Sequence, residues 1–162
     1  FLEITRRQWE VSIGANLTGP FLCAQAVAPY MLEQGSGHIV NIIDLSVSQT
    51  WAGFADHSAS KAGLEALTRV MAAELAPHVR VNAIAVGSTR TDALNTVLTD
   101  EVEKTMVELT PMGRLGEVED IALGALYLCS PAAAYVTGEI LGVNGGMERL
   151  NMQMPRAFGG MG

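Results

Sequence analysis

Short apolar runs alternate with long helical stretches along this chain, and this alternation constrains the fold more than any other feature. Three runs have the length and apolar character of strands buried on both faces: 38–43, 79–85 and 140–143. Apolar residues recur at helical spacing around and between these runs, which predicts helices at 5–33, 58–76 and 118–129. Because strands separated by helices pair in parallel, the sequence predicts an α/β fold with a doubly wound sheet.

The composition supports one domain with a buried core and argues against several kinds of partner. The 162 residues are 49% hydrophobic and 17% charged, unlike a disordered chain. A net charge of −7 disfavours nucleic acid, and the lack of a run of about eighteen apolar residues predicts no membrane span. Cys23 and Cys129 lie in apolar helical stretches, which predicts reduced core residues of a cytoplasmic protein.

The first predicted strand, 38–43, has an edge with which no other predicted strand pairs. Three strands also make a small sheet for an α/β fold. The chain begins at Phe1 rather than at Met, without a charged-then-apolar signal segment. We therefore expect this chain to be part of a longer gene product.

The segment 57–63, His-Ser-Ala-Ser-Lys-Ala-Gly, resembles the active-site helix of short-chain dehydrogenases/reductases, whose motif is Tyr-x-x-x-Lys. Other stretches resemble further signatures of that family, in the family's order: 16–19, 37–42, 80–87, 91–92, 113–116 and 136–146. The part from 91 to 151 is most similar to the family's hydroxysteroid dehydrogenases. The resemblance implies a Rossmann-type sheet, NAD or NADP as cofactor, and hydride transfer between that cofactor and a small-molecule carbonyl or alcohol.

The resemblance also implies that a part of the enzyme is missing. Members of the family open with a strand and a G-x-x-x-G-x-G motif, where the backbone approaches the pyrophosphate at a helix N-terminus. No such motif occurs in this chain. Residues 1–162 would then be a single partial domain with the last three strands of a seven-stranded sheet. The helices at 5–33 and 58–76 would form a subunit contact in a homodimer or homotetramer.

Four positions correspond to the catalytic residues of the family, and two of them carry a different residue from the usual one. Lys61 matches the lysine that holds the nicotinamide ribose, and Asn16 matches the asparagine that supports a water relay. His57 stands at the tyrosine position, where it would also contact the cofactor. Asp44, thirteen residues before His57, stands where the family usually has serine. The pteridine-reductase-like branch of the family also has aspartate there.

Asp44 and His57 are interpretable together as a change from a neutral pair to an ion pair. A nearby carboxylate favours the protonated imidazole, whereas Lys61 and an oxidised nicotinamide oppose it. A protonated imidazole can donate a proton to a developing alkoxide, and the neutral ring can take it back near neutral pH. We therefore expect activity with a changed pH dependence. The alternatives are a degenerate site in a non-catalytic subunit kept for its interfaces, and a partial chain without function of its own.

Pro20 lies four residues after Asn16 and has no N–H. In a continuous helix it cannot donate to the Asn16 carbonyl, so we predict a kink that leaves this carbonyl free for a water. The alternative is a kinked surface helix without that role.

The turn at 86–91 follows the second predicted strand, and ligands collect at the carboxyl ends of parallel strands. The resemblance implies cofactor contacts at Gly87, Thr89 and Thr91, although valine stands at 86 instead of the family's usual proline. Residues 89–113 would form a lid over the substrate, with methionines 106 and 112 as apolar contacts. No spacing of His, Cys and Asp indicates a metal site.

Overall fold

A computed structural model describes residues 1–147, which form a three-stranded parallel sheet with helices on both faces. The strand order is β1 (Gly37–Asp44), β2 (Val79–Val86) and β3 (Ile140–Val143). Gly37 lies opposite Val79 at one end of the β1–β2 ladder, and Asp44 lies opposite Val86 at the other. The α/β prediction and all three strand positions are confirmed.

The helices follow the predicted pattern with one interruption. The predicted helix at 5–33 consists of α1 (Arg6–Ile13), a π-helical turn (Gly14–Thr18) and α2 (Gly19–Gln34). The other helices are α3 (Ala55–Leu75), α4 (Asp92–Asn95), α5 (Asp100–Glu108) and α6 (Val118–Cys129). Thr5 caps α1 by accepting a hydrogen bond from the Gln8 N–H, and Gly35 ends α2 with a φ of 77°.

Successive side chains of β2 point to opposite faces of the sheet. Both faces are apolar, and helices cover both. Ala83 and Ala85 belong to a buried cluster with Leu64 of α3. Ile84 points toward α6, where a Cβ on Gly124 would lie 3.5 Å from its Cδ1 and 2.9 Å from Val143 Cγ2. The glycine therefore lets α6 pack directly on the sheet, and the doubly wound arrangement is confirmed.

A buried polar side chain on β2 fastens the segment that leads into β3. Asn82 Nδ2 donates to the Val136 carbonyl at 3.1 Å, and Asn82 Oδ1 accepts from the Glu139 N–H at 3.0 Å. Arg80 also donates to the Val136 carbonyl, at 3.1 Å. Sequence reasoning gave these two residues no separate role, although both lie in the 80–87 motif. They hold β3 beside β2.

The stretch Arg6–Gln34 is long and apolar enough to cross a membrane by length and composition alone. Only 6% of its most apolar window is buried in this chain. It nevertheless packs on the sheet layer, because Ala24 belongs to a core cluster with Val81 and Leu17 lies against Gly63. Core helices of globular proteins pass the same test. The absence of a membrane span therefore stays a prediction.

Both cysteines are free thiols, but both are exposed, so the prediction that they are core residues is wrong. Each follows or precedes the residue that the helix buries. Ala24 is 4% exposed beside Cys23, and Leu128 is 1% exposed beside Cys129. One step along a helix turns a side chain by about 100°, so an apolar stretch does not bury all its members.

Candidate active site

Asp44, His57 and Lys61 meet at the carboxyl end of β1. Asp44 is the last residue of β1, and the other two lie one turn apart on α3. The four-residue spacing predicted that His57 and Lys61 share a helix face. The contacts below show that this face is directed toward β1.

The imidazole of His57 contacts the carboxylate of Asp44, with 2.6 Å between Nε2 and Oδ2. Asp44 Oδ1 accepts from the Ser46 backbone N–H at 2.9 Å, at the start of the 3-10 turn Leu45–Val47. Burial alone would raise the pKa of the Asp44 carboxyl, but hydrogen bonds from His57 and Ser46 hold it below its ordinary value. Because an ionised carboxylate only accepts, Nε2 carries the proton in this contact. The predicted pair is present.

Lys61 is anchored to the same strand end. Its Nζ donates to the Ile42 carbonyl at 2.9 Å, two residues before Asp44. Partial burial lowers the pKa of Lys61 below its ordinary value, and the Asp44 carboxylate opposes this effect. The ammonium therefore lies close to the Asp44–His57 pair without replacing either partner.

Asn16 reaches the site through Ser60. Asn16 Nδ2 donates to Ser60 Oγ at 3.1 Å, and the Ser60 hydroxyl donates to the His57 carbonyl at 2.7 Å. Ser60 is fully buried. Asn16 is thus joined to the turn of α3 that carries His57 and Lys61, by a serine that sequence reasoning did not single out.

The helix is interrupted at Asn16, where a kink was predicted. It widens into the π-helical turn Gly14–Thr18, in which the Gly19 N–H donates to the Gly14 carbonyl. The wider turn carries the helix past Pro20, which has no N–H to donate to the Asn16 carbonyl. The interruption is therefore at the predicted place and takes a different form.

Gly87, Thr89 and Thr91 follow β2 and shape the turn in different ways. The Gly87 N–H donates to the Val143 carbonyl at 3.1 Å, and a Cβ on Gly87 would lie 2.6 Å from Asn144 Cα. Thr89 Oγ1 donates to the Gly87 carbonyl at 3.1 Å. Thr91 is exposed and caps α4, with its hydroxyl accepting from a backbone N–H. The Thr89 hydroxyl therefore holds the backbone of the turn, and the Thr91 hydroxyl holds the first turn of α4.

A cavity of about 220 Å³ lies between this turn and the end of β3. Within the described residues its lining includes Gly87 and Thr89 but neither Thr91 nor the Asp44–His57 pair.

Of the two methionines predicted in the lid, Met112 lines the cavity. Met106 is 6% exposed and packs on the inner side of α5, so the predicted substrate contact at Met106 stays a prediction. Residues 1–147 contain no cluster of three metal-ligating side chains.

Two further polar residues of the cavity hold its wall together. Arg114 contacts both carboxylate oxygens of Asp120, at 2.7 Å and 3.0 Å. The Arg114 guanidinium and the Glu117 N–H lower the pKa of Asp120 to about 2. Sequence reasoning placed Arg114 in a family motif without a role. The structure shows that it fastens the segment before α6 to the first turn of that helix.

Sequence reasoning also missed Trp51 and Phe54, whose rings lie beside His57. No motif marks them. Their position within six residues of His57 was the one available signal.

Comparison with known proteins finds relatives named as reductases or dehydrogenases. A family profile described as enoyl-(acyl carrier protein) reductase matches residues 1–148. A 3-oxoacyl-[acyl-carrier-protein] reductase of Aquifex aeolicus is 42% identical over 148 residues, which is 91% of this chain and 59% of the relative. A 7alpha-hydroxysteroid dehydrogenase of Escherichia coli is 42% identical over 148 residues, which is 90% of this chain and 56% of the relative.

Solved structures agree with these relatives. A 7alpha-hydroxysteroid dehydrogenase complexed with NADH and 7-oxo glycochenodeoxycholic acid has a TM-score of 0.85 and 39% identity, covering 89% of this chain and 57% of that one. A gluconate 5-dehydrogenase from Burkholderia cenocepacia in complex with NADP and tartrate has a TM-score of 0.87 and 30% identity, covering 91% and 59%. The chain thus spans under three fifths of the length of these relatives.

Proposed function

Because the chain belongs to the short-chain dehydrogenase/reductase family, we propose that the whole gene product is an oxidoreductase that uses NAD or NADP. It transfers a hydride between that cofactor and a small-molecule carbonyl or alcohol. Relatives named as reductases and dehydrogenases, and neighbours solved with NADH or NADP, support this proposal. We assign the glycine motif for the pyrophosphate to a part of the enzyme outside residues 1–162.

The observation that carries the catalytic proposal is the 2.6 Å contact between His57 Nε2 and Asp44 Oδ2. Asp44 stabilises the protonated imidazole and accepts the hydrogen bond from Nε2. Nδ1 is therefore the nitrogen that exchanges a proton with the substrate. In reduction, the carbonyl carbon gains a hydride while its oxygen takes the proton from His57, which is left neutral. In oxidation, neutral His57 takes the hydroxyl proton. Proton transfer of this kind contributes about 10²–10⁴-fold to a rate.

The chain offers a fitting place for the nicotinamide end of the cofactor. When bound, the cofactor supplies or accepts the hydride. Lys61 would hold the nicotinamide ribose beside His57, and Asn16 would support a water relay that links Lys61 to solvent. No side chain covers the backbone of Gly87, which lines the cavity and would contact the carboxamide of the cofactor together with Thr89. Thr91, outside the lining of this cavity, would contact the cofactor at the end of the same turn.

We further propose a cytoplasmic homodimer or homotetramer that binds neither nucleic acid nor membrane. The net charge of −7 and the two free thiols support the location and the lack of nucleic acid. Large apolar side chains on α1 and α2 are exposed in this chain, among them Val11 at 63% and Leu22 at 54%. A second subunit, rather than lipid, would cover them.

The test uses the full gene product with NADH and NADPH separately. The substrates are a 3-oxoacyl-[acyl-carrier-protein] and 7-oxo glycochenodeoxycholic acid, and oxidation of the reduced nicotinamide is followed by absorbance. We expect turnover, and we expect His57→Ala and Asp44→Ala each to lower kcat by about 10²-fold or more.

His78→Ala, at an exposed histidine after α3, serves as the control. Cofactor binding without turnover would instead favour the non-catalytic subunit, and unchanged turnover in both variants would exclude the pair from catalysis.

A further inference from the structure

Aromatic rings enclose one side of His57. The Trp51 and His57 rings are parallel within 5°, with 6.3 Å between their centroids. Phe54 meets both rings nearly at right angles, 6.0 Å from Trp51 and 6.5 Å from His57. Offset-parallel and edge-to-face arrangements are favourable for rings at these separations. The imidazole therefore lies between an aromatic pair on one side and the Asp44 carboxylate on another.

A chain of hydrogen bonds holds the indole itself in place. Trp51 Nε1 donates to Gln49 Oε1 at 3.2 Å, and Gln49 Nε2 donates to the Met147 carbonyl at 3.0 Å. Met147 is buried just after the turn that closes β3. Gln49 thus connects the loop before α3 to the end of β3. Its hydrogen bonds to Trp51 and Met147 fix the plane of the indole.

We propose that Trp51 is a positioning residue for the His57 imidazole in proton transfer. A single hydrogen bond from Nε2 to Asp44 fixes one atom of the ring but not its plane. The stacked indole restricts the plane, and the two contacts together fix the direction of Nδ1. This inference rests on the proposed role of His57 as the proton carrier, and it adds the residue that sets the ring's orientation.

The charges around His57 come from two elements. β1 supplies Asp44, and α3 supplies Asp56 and Lys61, while the loop 48–54 carries no ionisable side chain. The loop side of the imidazole is therefore aromatic and carries no charge. Removal of the indole would let the ring turn from Asp44 and would admit water, and both changes weaken the pairing of a protonated imidazole with the carboxylate.

The direct test is an NMR titration of the His57 ring protons in the full gene product, with the signal identified by its loss in His57→Gln. We expect Trp51→Leu to move the titration midpoint to lower pH by about half a unit, from the loss of one aromatic contact. Trp51→Phe retains a ring against the imidazole and should stay near the wild type. Trp9→Leu, the same change on α1, should leave the midpoint unchanged. An unmoved midpoint in Trp51→Leu would overturn the proposal.

Kinetics with whichever substrate turns over provide the second test. We expect Trp51→Leu to lower kcat about tenfold with little change in KM, because it misplaces the proton donor without removing a substrate contact. Gln49→Met should have a smaller effect, and none in the Trp51→Leu background, because Gln49 acts through the indole. Unchanged kcat and an unchanged pH profile in Trp51→Leu would contradict positioning. If no substrate turns over, the proposed function fails while the NMR titration still decides the role of Trp51.

Discussion

The two ends of the candidate site are held together in different ways. Where β1 meets α3, side chains hold one another, since Asp44 contacts His57 and Lys61 reaches the adjacent strand carbonyl. Where β2 meets β3, backbone atoms form the contact, since Gly87 packs on Asn144 with no room for a Cβ. We expect the first arrangement to tolerate a change of Asp44 and His57 as a matched pair. The second tolerates no side chain at one position.

The largest effect is expected from separating the matched pair. Asp44→Ser alone would remove the carboxylate from the His57 imidazole, so kcat in the full gene product should fall by about 10²-fold or more. Asp44→Ser together with His57→Tyr restores the neutral pair usual in the family, and most of the activity should return. A double variant that is no better than Asp44→Ser would show that the two positions are not coupled.

Lys61→Met removes a charged donor and retains the length of the side chain. If Lys61 holds the ribose, the Kd for NADH should rise about 10- to 100-fold, as for the loss of a hydrogen bond from a charged group. Quenching of intrinsic fluorescence by added NADH measures this. Lys104→Met on α5, where the side chain is 77% exposed, is the matched control. An equal rise in both variants would point to a general charge effect.

Gly87→Ala tests the end held by the backbone. Its Cβ would lie 2.6 Å from Asn144 Cα, so the free energy of unfolding should fall by about 1–3 kcal/mol. Urea denaturation measures the loss. Gly14→Ala is the control, because a Cβ there meets nothing within 4 Å and its φ of −59° suits alanine. Equal stability of Gly87→Ala and the wild type would mean that the turn adapts, and the contrast between the two ends would disappear.

The smallest effect is expected at the Arg114–Asp120 pair on the cavity wall. The folded pKa of Asp120 is about 2, below the ordinary 3.8, so ionised Asp120 stabilises the fold above pH 3.8. That contribution is lost as the pH falls through about 2. The stability difference between the wild type and Asp120→Asn should therefore shrink over this interval in urea denaturation. Glu3→Gln, an exposed position outside the helices, should show no such convergence.

Apolar runs and helical periodicity were enough to predict the three strands and the three long helical stretches. The strand predicted at 38–43 is Gly37–Asp44, and the one predicted at 79–85 is Val79–Val86. Helix α3 begins three residues earlier than the predicted 58, at Ala55, without a side-chain cap that could have marked its start. The cysteines show the limit of such reasoning, because a residue beside a buried one can face solvent.

The sequence by itself determined the α/β class, the parallel strands and the spacing of Asp44, His57 and Lys61. The class and the strands follow from short apolar runs that alternate with helical periodicity. The three site positions follow from the family motif that they resemble. Only the tertiary structure decided the contacts between distant segments, such as Gln49 with Met147 and Gly87 with Asn144. Such contacts depend on how helices and strands pack after they form. No local pattern records them, so the stack of Trp51 on His57 was visible only in the folded chain.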